Sequence, residues 1–172
     1  MSEREQRYEE LFNACYQPLH AFARRRLPQA EAEDLVAEVL TTAWRRLDDV
    51  PHDATLPWLY GVAHRTLANQ RRSSDRRRRL LRRIALSQPV AAAATSESHP
   101  ILDALERLER KDRDILRLAA WEGLTAREIA VVLECTPNAA ALRLSRARQK
   151  LRAELSPLEA TPTRQHGRVT DA

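Results

Sequence analysis

Glycine is nearly missing from this chain: three residues in 172. That removes the glycine-rich loops that cradle phosphates in nucleotide-binding enzymes. Strand signals are missing as well, because no stretch alternates Val, Ile or Thr with polar residues. Aromatics make up only 5%, so a core drawn from the 43% hydrophobic residues must be filled by Leu, Ala and Val. An all-α fold is expected. The two cysteines, Cys15 and Cys135, match no metal-ligand spacing. Cys15 falls on an apolar helical face and is expected to be a buried thiol in a reducing compartment. No signal peptide opens the chain and no apolar run reaches the length of a membrane span, so a cytoplasmic location without membrane contact is expected. Lysine is confined to Lys111 and Lys150, so the net charge of +5 is carried almost wholly by arginine. The planar guanidinium fork suits phosphates and guanine edges, and a basic balance favours a polyanionic partner.

What is present centres on LTAREIAVVLECTPNAAALRLSRARQKLRAEL, Leu124 to Leu155. Thr125 and Glu128 have the spacing of a capping box. Ile129, Ala130, Val132 and Leu133 supply the apolar side of a short helix. Glu134-Cys135 is the turn, Thr136 a second N-cap, and Pro137 sits at the first helical position, where its missing N–H costs nothing. Leu142, Leu144 and Leu151 then fall at roughly inward spacing, with Arg143, Arg146, Lys150 and the residues around Asn138 outward. A short helix, a turn and a longer basic helix is the helix-turn-helix plan, in which the second helix enters the major groove. Glu134 is the unusual residue, since such turns often need φ > 0 and favour Gly.

Upstream, Glu3 to Leu27 reads as one amphipathic helix, with Pro18 as a candidate kink and Arg24, Arg25 and Arg26 at its end. A second helix is expected from about Glu31 to Leu47, with Leu35, Val36, Val39, Leu40, Ala43, Trp44 and Leu47 inward; Asp34 and Glu38 share its other side. Asp48 to Leu56 is a loop. A third helix begins at Pro57 and runs into Arg76–Arg79, Arg82 and Arg83, a run that repels itself unless phosphates neutralise it. Trp58, Tyr60, His64 and Asn69 accompany that run. Aromatics beside arginines suit unstacked bases, although Trp58 fits a core position equally well. Ser87 to Pro100, rich in Ala, Ser and Pro, reads as a linker. Beyond it, Ile101, Leu102, Leu105 and Leu108 form one apolar stripe. Ile115, Leu116, Leu118, Ala119 and Trp121 form another, closed by Gly123. Pro157 is expected to stop the last helix. The chain thus divides into residues 1–86, a linker at 87–100, a helix-turn-helix domain at 101–156 and a tail at 157–172 expected to be disordered. His52 and His99 are lone loop histidines to which no metal or catalysis is assigned. There is no metal spacing, no nucleophile–base pair, and no sign of an enzyme, cofactor or small-molecule substrate.

The order of these segments resembles the extracytoplasmic-function group of bacterial sigma factors, over about Tyr8 to Leu155. The likeness rests on AEDLVAEVLTTAWRRL and PWLYGVAHRTLANQRR in the first domain. In the second it rests on DRDILRLAAWEGLTAREIAVVLECT and LSRARQKL. It implies that the second helix binds core RNA polymerase through Asp34, Leu35, Glu38, Val39 and Trp44, an acidic and partly apolar surface for a basic partner. It implies that the loop from Val50 to Leu56, with Val62, Arg65, Thr66 and Asn69, recognises and melts the −10 promoter element, while Arg71 and Arg72 hold phosphates. It implies −35 readout by Thr136, Asn138, Ala141, Leu142, Ser145 and Arg146, with Arg143 and Arg148 near the backbone. The chain departs from the family's usual residues at Arg65 (often Asn), Ala141 (often basic), Leu142 (often Ser) and Glu134 (usually Gly). The family also admits an anti-sigma factor as partner, of which the sequence carries no readable mark. Two rivals predict different behaviour: a dimeric helix-turn-helix regulator would bind a palindromic duplex without polymerase, and an adaptor would bind a protein partner with DNA contact incidental.

Overall fold

A computed structural model describes residues 2–84 and 100–159. Among them there are seven α-helices and no strand, as the composition predicts. Helix α1 spans Glu3–Arg24, α2 Gln29–Arg45 and α3 Thr55–Ile84, with a 3-10 turn at Leu47–Asp49 between the last two. Helix α4 spans Pro100–Arg107, α5 Arg110–Ala120, α6 Ala126–Val132 and α7 Pro137–Glu159. Of the linker expected at 87–100, residues 87–99 lie outside the described residues and Pro100 opens α4; of the tail expected at 157–172, residues 157–159 belong to α7 and the rest lie outside the described residues.

The first three helices pack on one another around Leu19, Phe22, Leu35, Val39, Leu47 and Leu59, all essentially without solvent exposure. Helix α1 is started by a capping box: the Ser2 hydroxyl accepts from the Glu5 N–H, and Glu5 Oε2 accepts from the Ser2 N–H at 2.7 Å. Pro18 neither ends nor splits α1. It removes one backbone donor, but Leu19, Phe22 and Ala23 just beyond it are fully buried, and that packing carries the helix through. Helix α2 begins two residues earlier than expected, at Gln29, and ends before Leu47. Trp44, expected inward, is instead half-exposed. It meets Tyr8 edge-on at 5.2 Å, and the Arg4 guanidinium lies 5.2 Å from its ring. Tyr60 is a second departure: it is buried, stacked on Phe22 at 4.8 Å, and unavailable to an unstacked base. Burial pushes its phenol up to about 12. Cys15 is buried as expected, and that burial raises its thiol.

In the second half, α4, α5 and α6 each pack on α7. Leu105, Leu108, Ile115 and Leu118 are buried there, but Ile101 and Leu102 are exposed, so the apolar stripe of α4 starts later than the sequence suggests. The seam of α7 is Ala140, Leu144, Ala147 and the partly buried Leu151. Leu142 lies outside it, at 52% exposure. Pro157 does not stop α7, which continues to Glu159. Two ion pairs pin α7 to the helices beneath it: Lys150 Nζ donates to the buried Asp112 at 2.5 Å, and Arg107 Nε to Glu154 at 2.8 Å. Gly123, at φ +66°, turns the chain from α5 towards α6.

Candidate polymerase and nucleic-acid interfaces

The turn between α6 and α7 is built as its residues require. Thr125 Oγ1 accepts from the Glu128 N–H at 3.3 Å, and Glu128 Oε2 accepts from the Thr125 N–H at 2.8 Å. The Thr125 N–H, together with the Thr125 hydroxyl, which donates to the same Oε2 at 2.7 Å, holds the Glu128 carboxyl below its ordinary range. Thr136 Oγ1 accepts from the Ala139 N–H at 3.2 Å, and Pro137 opens α7. Glu134 adopts φ +50°. A non-glycine residue there is strained, and its carboxylate is held by the Arg65 guanidinium of α3.

With Ala140, Leu144 and Ala147 facing in, Asn138, Leu142, Ser145 and Gln149 follow one another at four-, three- and four-residue steps along the opposite, exposed side. Arg146 borders that ridge on one edge together with Arg143; Ala141 and Arg148 border it on the other. All are exposed, as is the cap residue Thr136. Gln149 was not singled out from sequence. The period beginning at Asn138 identifies it once the inward seam is known to be alanine-based. Leu142 belongs to the ridge rather than the core.

On α2, Asp34 and Glu38 are exposed, and Thr66 of α3 donates to Glu38 at 3.4 Å. Leu35 and Val39 are fully buried, so neither offers its side chain to a partner; the exposed part of that face is Asp34, Glu38 and Trp44. Among the residues before and along α3, Val50 and Val62 are buried. Val50 belongs to the hydrophobic core, and its carbonyl accepts from Arg7 at 2.9 Å. Arg65 is half-exposed and tied to Glu134, Asn69 accepts from Arg72, and Arg71 lies one turn beyond Ala68 on the inner side. The charged run continues past it on the helix to Ile84.

The two halves also meet. A side-chain carbon on Gly61 would lie 3.4 Å from the Val132 carbonyl oxygen, so α3 crosses the C-terminal end of α6 at backbone distance. His64 Nε2 is 3.7 Å from Asp114. Burial alone would raise the Asp114 carboxyl; the hydrogen bond and charge of His64, with Arg71 and Arg117, overcome it and hold the group below its usual range. Glu122, in the loop after α5, is paired with Arg25 and, at 2.8 Å, with Arg26 at the end of α1. A cleft of about 980 Å³ opens between α3, α5 and α7. Arg71, Arg110, Arg143 and Arg146 line it, and the last three have no acidic partner among the described residues.

Two family models account for most of the chain: residues 11–77 match sigma-70 region 2, and residues 98–151 match sigma-70 region 4. The RNA polymerase sigma factor CarQ of Myxococcus xanthus is 32% identical over 162 residues, covering 88% of this chain and 91% of its own length. The chain belongs to the extracytoplasmic-function sigma factors. The ECF RNA polymerase sigma factor EcfG of Rhodopseudomonas palustris is 31% identical, over 83% of this chain and 81% of its own. Among solved structures, that of CnrH in complex with the cytosolic domain of CnrY superposes with a TM-score of 0.60 at 26% identity, covering 87% and 88% of the two chains. Helices α1–α3 are thus the region 2 half of this sigma factor, and α4–α7 its region 4 half. Among the described residues no helix is long and apolar enough to cross a membrane.

Proposed function

We propose that this sigma factor directs promoter-specific initiation by binding core RNA polymerase through α2, a melted −10 strand through α3, and a duplex −35 element through α7. The observation that carries this reading is the exposed ridge on α7, held at both ends by caps and ion pairs and flanked by arginines on each side. Asn138, Ser145, Gln149 and Arg146 offer hydrogen-bonding groups to base edges; Leu142 and Ala141 offer apolar contact to thymine methyls. Arg143 and Arg148 lie where groove-edge phosphates would pass. Because two of the ridge positions are apolar, readout leans on shape and methyl contact more than on a full set of hydrogen bonds.

On α2 the acidic pair Asp34 and Glu38, with Trp44 beside them, is complementary to a basic polymerase surface. Leu35 and Val39 support that face from beneath. On α3, the exposed Asn69 and the partly exposed Arg65 and Thr66 are the members of the −10 set within reach of a strand, with Arg71 and Arg72 neutralising phosphates. Val50 and Val62 shape the surface from inside the fold. Two weak DNA contacts on one tethered chain reinforce each other through effective concentration. An anti-sigma factor is a fitting further partner, as CnrY is for CnrH.

Run-off transcription with purified core polymerase on a genomic library tests the whole reading. Discrete start sites sharing two upstream motifs are expected. Failure to initiate anywhere, together with unaided binding to an inverted-repeat duplex, would replace it with the dimeric regulator.

A further inference from the structure

The cleft between α3, α5 and α7 holds more positive charge than the fold itself neutralises. We propose that it is a binding site for a nucleoside polyphosphate, with its arginines on the phosphates and its apolar lining on the base and sugar. The site stands on its own residues and does not depend on the promoter reading.

Charge matching carries the argument. Two carboxylates line the cleft, and each already has a cation within the fold. Asp112 accepts from Lys150, and Asp114 lies against His64, with Arg71 near enough to help keep it ionised. Lys111 pairs with Glu109 at 2.8 Å. That leaves Arg110, Arg143 and Arg146 lining one space of about 980 Å³ without a counter-charge among the described residues. They come from α5 and α7, and Arg71 adds a fourth guanidinium from α3. Cations so gathered repel one another, and an anion placed among them relieves that repulsion. The start of α5 adds to the same field. No side chain caps it at Glu109, so the partial positive charge of its first N–H groups is left for an anion.

Size and lining select the rest of the ligand. A lone phosphate would leave most of the volume empty, whereas clefts for drug-sized ligands span roughly 300–1,000 Å³. Ala68, Ile115 and Leu133 make part of the lining apolar, which suits a base or sugar ring. No Phe, Tyr or Trp is among the described residues around the cleft, so a base is held by shape and apolar contact, and adenine and guanine should bind alike. The chain has no glycine-rich loop, so guanidinium forks rather than a backbone cradle grip the phosphates.

Arg110 is the residue to test, because it is exposed and belongs to neither proposed DNA face. Calorimetric titration of the full chain with ATP, GTP and inorganic tripolyphosphate, without polymerase or DNA, reads the site directly. A single saturable site per chain is expected. ATP and GTP should bind within about threefold of each other, and both at least about fivefold more tightly than tripolyphosphate. Arg110→Ala should weaken ATP binding about tenfold, the loss of a charge-assisted hydrogen bond. Arg143→Ala, from the facing helix, should do the same. Arg152→Ala removes an equal charge from an exposed position of α7 outside this cleft and should change affinity less than about twofold. Circular dichroism checks that all three variants keep their helix. Absence of saturable binding would overturn the site. So would several equivalents of ATP per chain, or equal weakening by Arg110→Ala and Arg152→Ala, since the attraction would then be diffuse. Tripolyphosphate binding as tightly as ATP would overturn the nucleoside as ligand. No arm contains polymerase or DNA, so each of these results leaves the promoter reading where it stood.

Discussion

On the proposed −35 reading, Arg146 is the residue on which sequence readout depends most. It is exposed, has no acidic partner among the described residues, and borders the α7 ridge where Leu142 and Ala141 offer no hydrogen bonds. Arg146→Ala is expected to cost about 1–3 kcal/mol in promoter binding, roughly 5–150-fold, and to relax preference at one −35 position. Selection from a randomised −35 library measures both, and an unchanged logo would remove Arg146 from base readout. A different residue reports on acid stability. The Asp114 carboxyl titrates below its ordinary 3.8 in the folded chain. Its ionised form therefore stabilises the fold above that value, and the contribution fades as pH falls through the lower, folded value. Thermal melts of Asp114→Asn and wild type should converge at the acid end and separate above about pH 4. Melts separated equally at every pH would mean the side chain acts through packing alone.

At the scale of the element, α7 makes opposite demands on neighbouring leucines. Leu144 is in the seam, and Leu144→Ala should cost about 2–5 kcal/mol in chemical denaturation. Leu142 is on the ridge, and Leu142→Ala should leave stability within about 0.5 kcal/mol while altering −35 preference. Equal losses at the two positions would mean the helix is rotated from the orientation described. The same helix marks how far the sequence could be read. Its start was legible because Thr136 and Pro137 are local signals, as Thr125 and Glu128 are for α6. Its orientation was not, because the seam uses Ala140 and Ala147, and alanine carries little hydrophobic contrast against a ridge that itself contains Leu142. Trp44 and Tyr60 failed the other way: each has an aromatic body that fits either side of a helix, and only packing against Tyr8 or Phe22 decides. Local rules make Pro18 a point of kinking or splitting and Pro157 a stop, but both helices continue through them. The face of α2 proposed to meet polymerase was legible as a stripe. Which members reach the surface was not: Leu35 and Val39 share it in sequence but are buried beneath it.

For the whole molecule, the separation of charge matters more than its sum. The net charge is only +5, but arginines collect along α3 and α7 while Asp34 and Glu38 mark α2. Replacing Asp34 and Glu38 by Lys is expected to abolish co-purification with core polymerase while leaving circular dichroism unchanged. Retention of the complex would move the docking surface elsewhere. The fully buried Ala140 and Ala147 carry a consequence of their own. They act as shims: the thickness of two methyl groups sets how far the reading ridge stands off the rest of the region 4 half. A bulkier residue at Ala147 would lift one end of that ridge and, on the proposed −35 reading, tilt its approach to the double helix. Promoter choice could then drift between relatives by altered penetration depth, with every base-facing side chain unchanged.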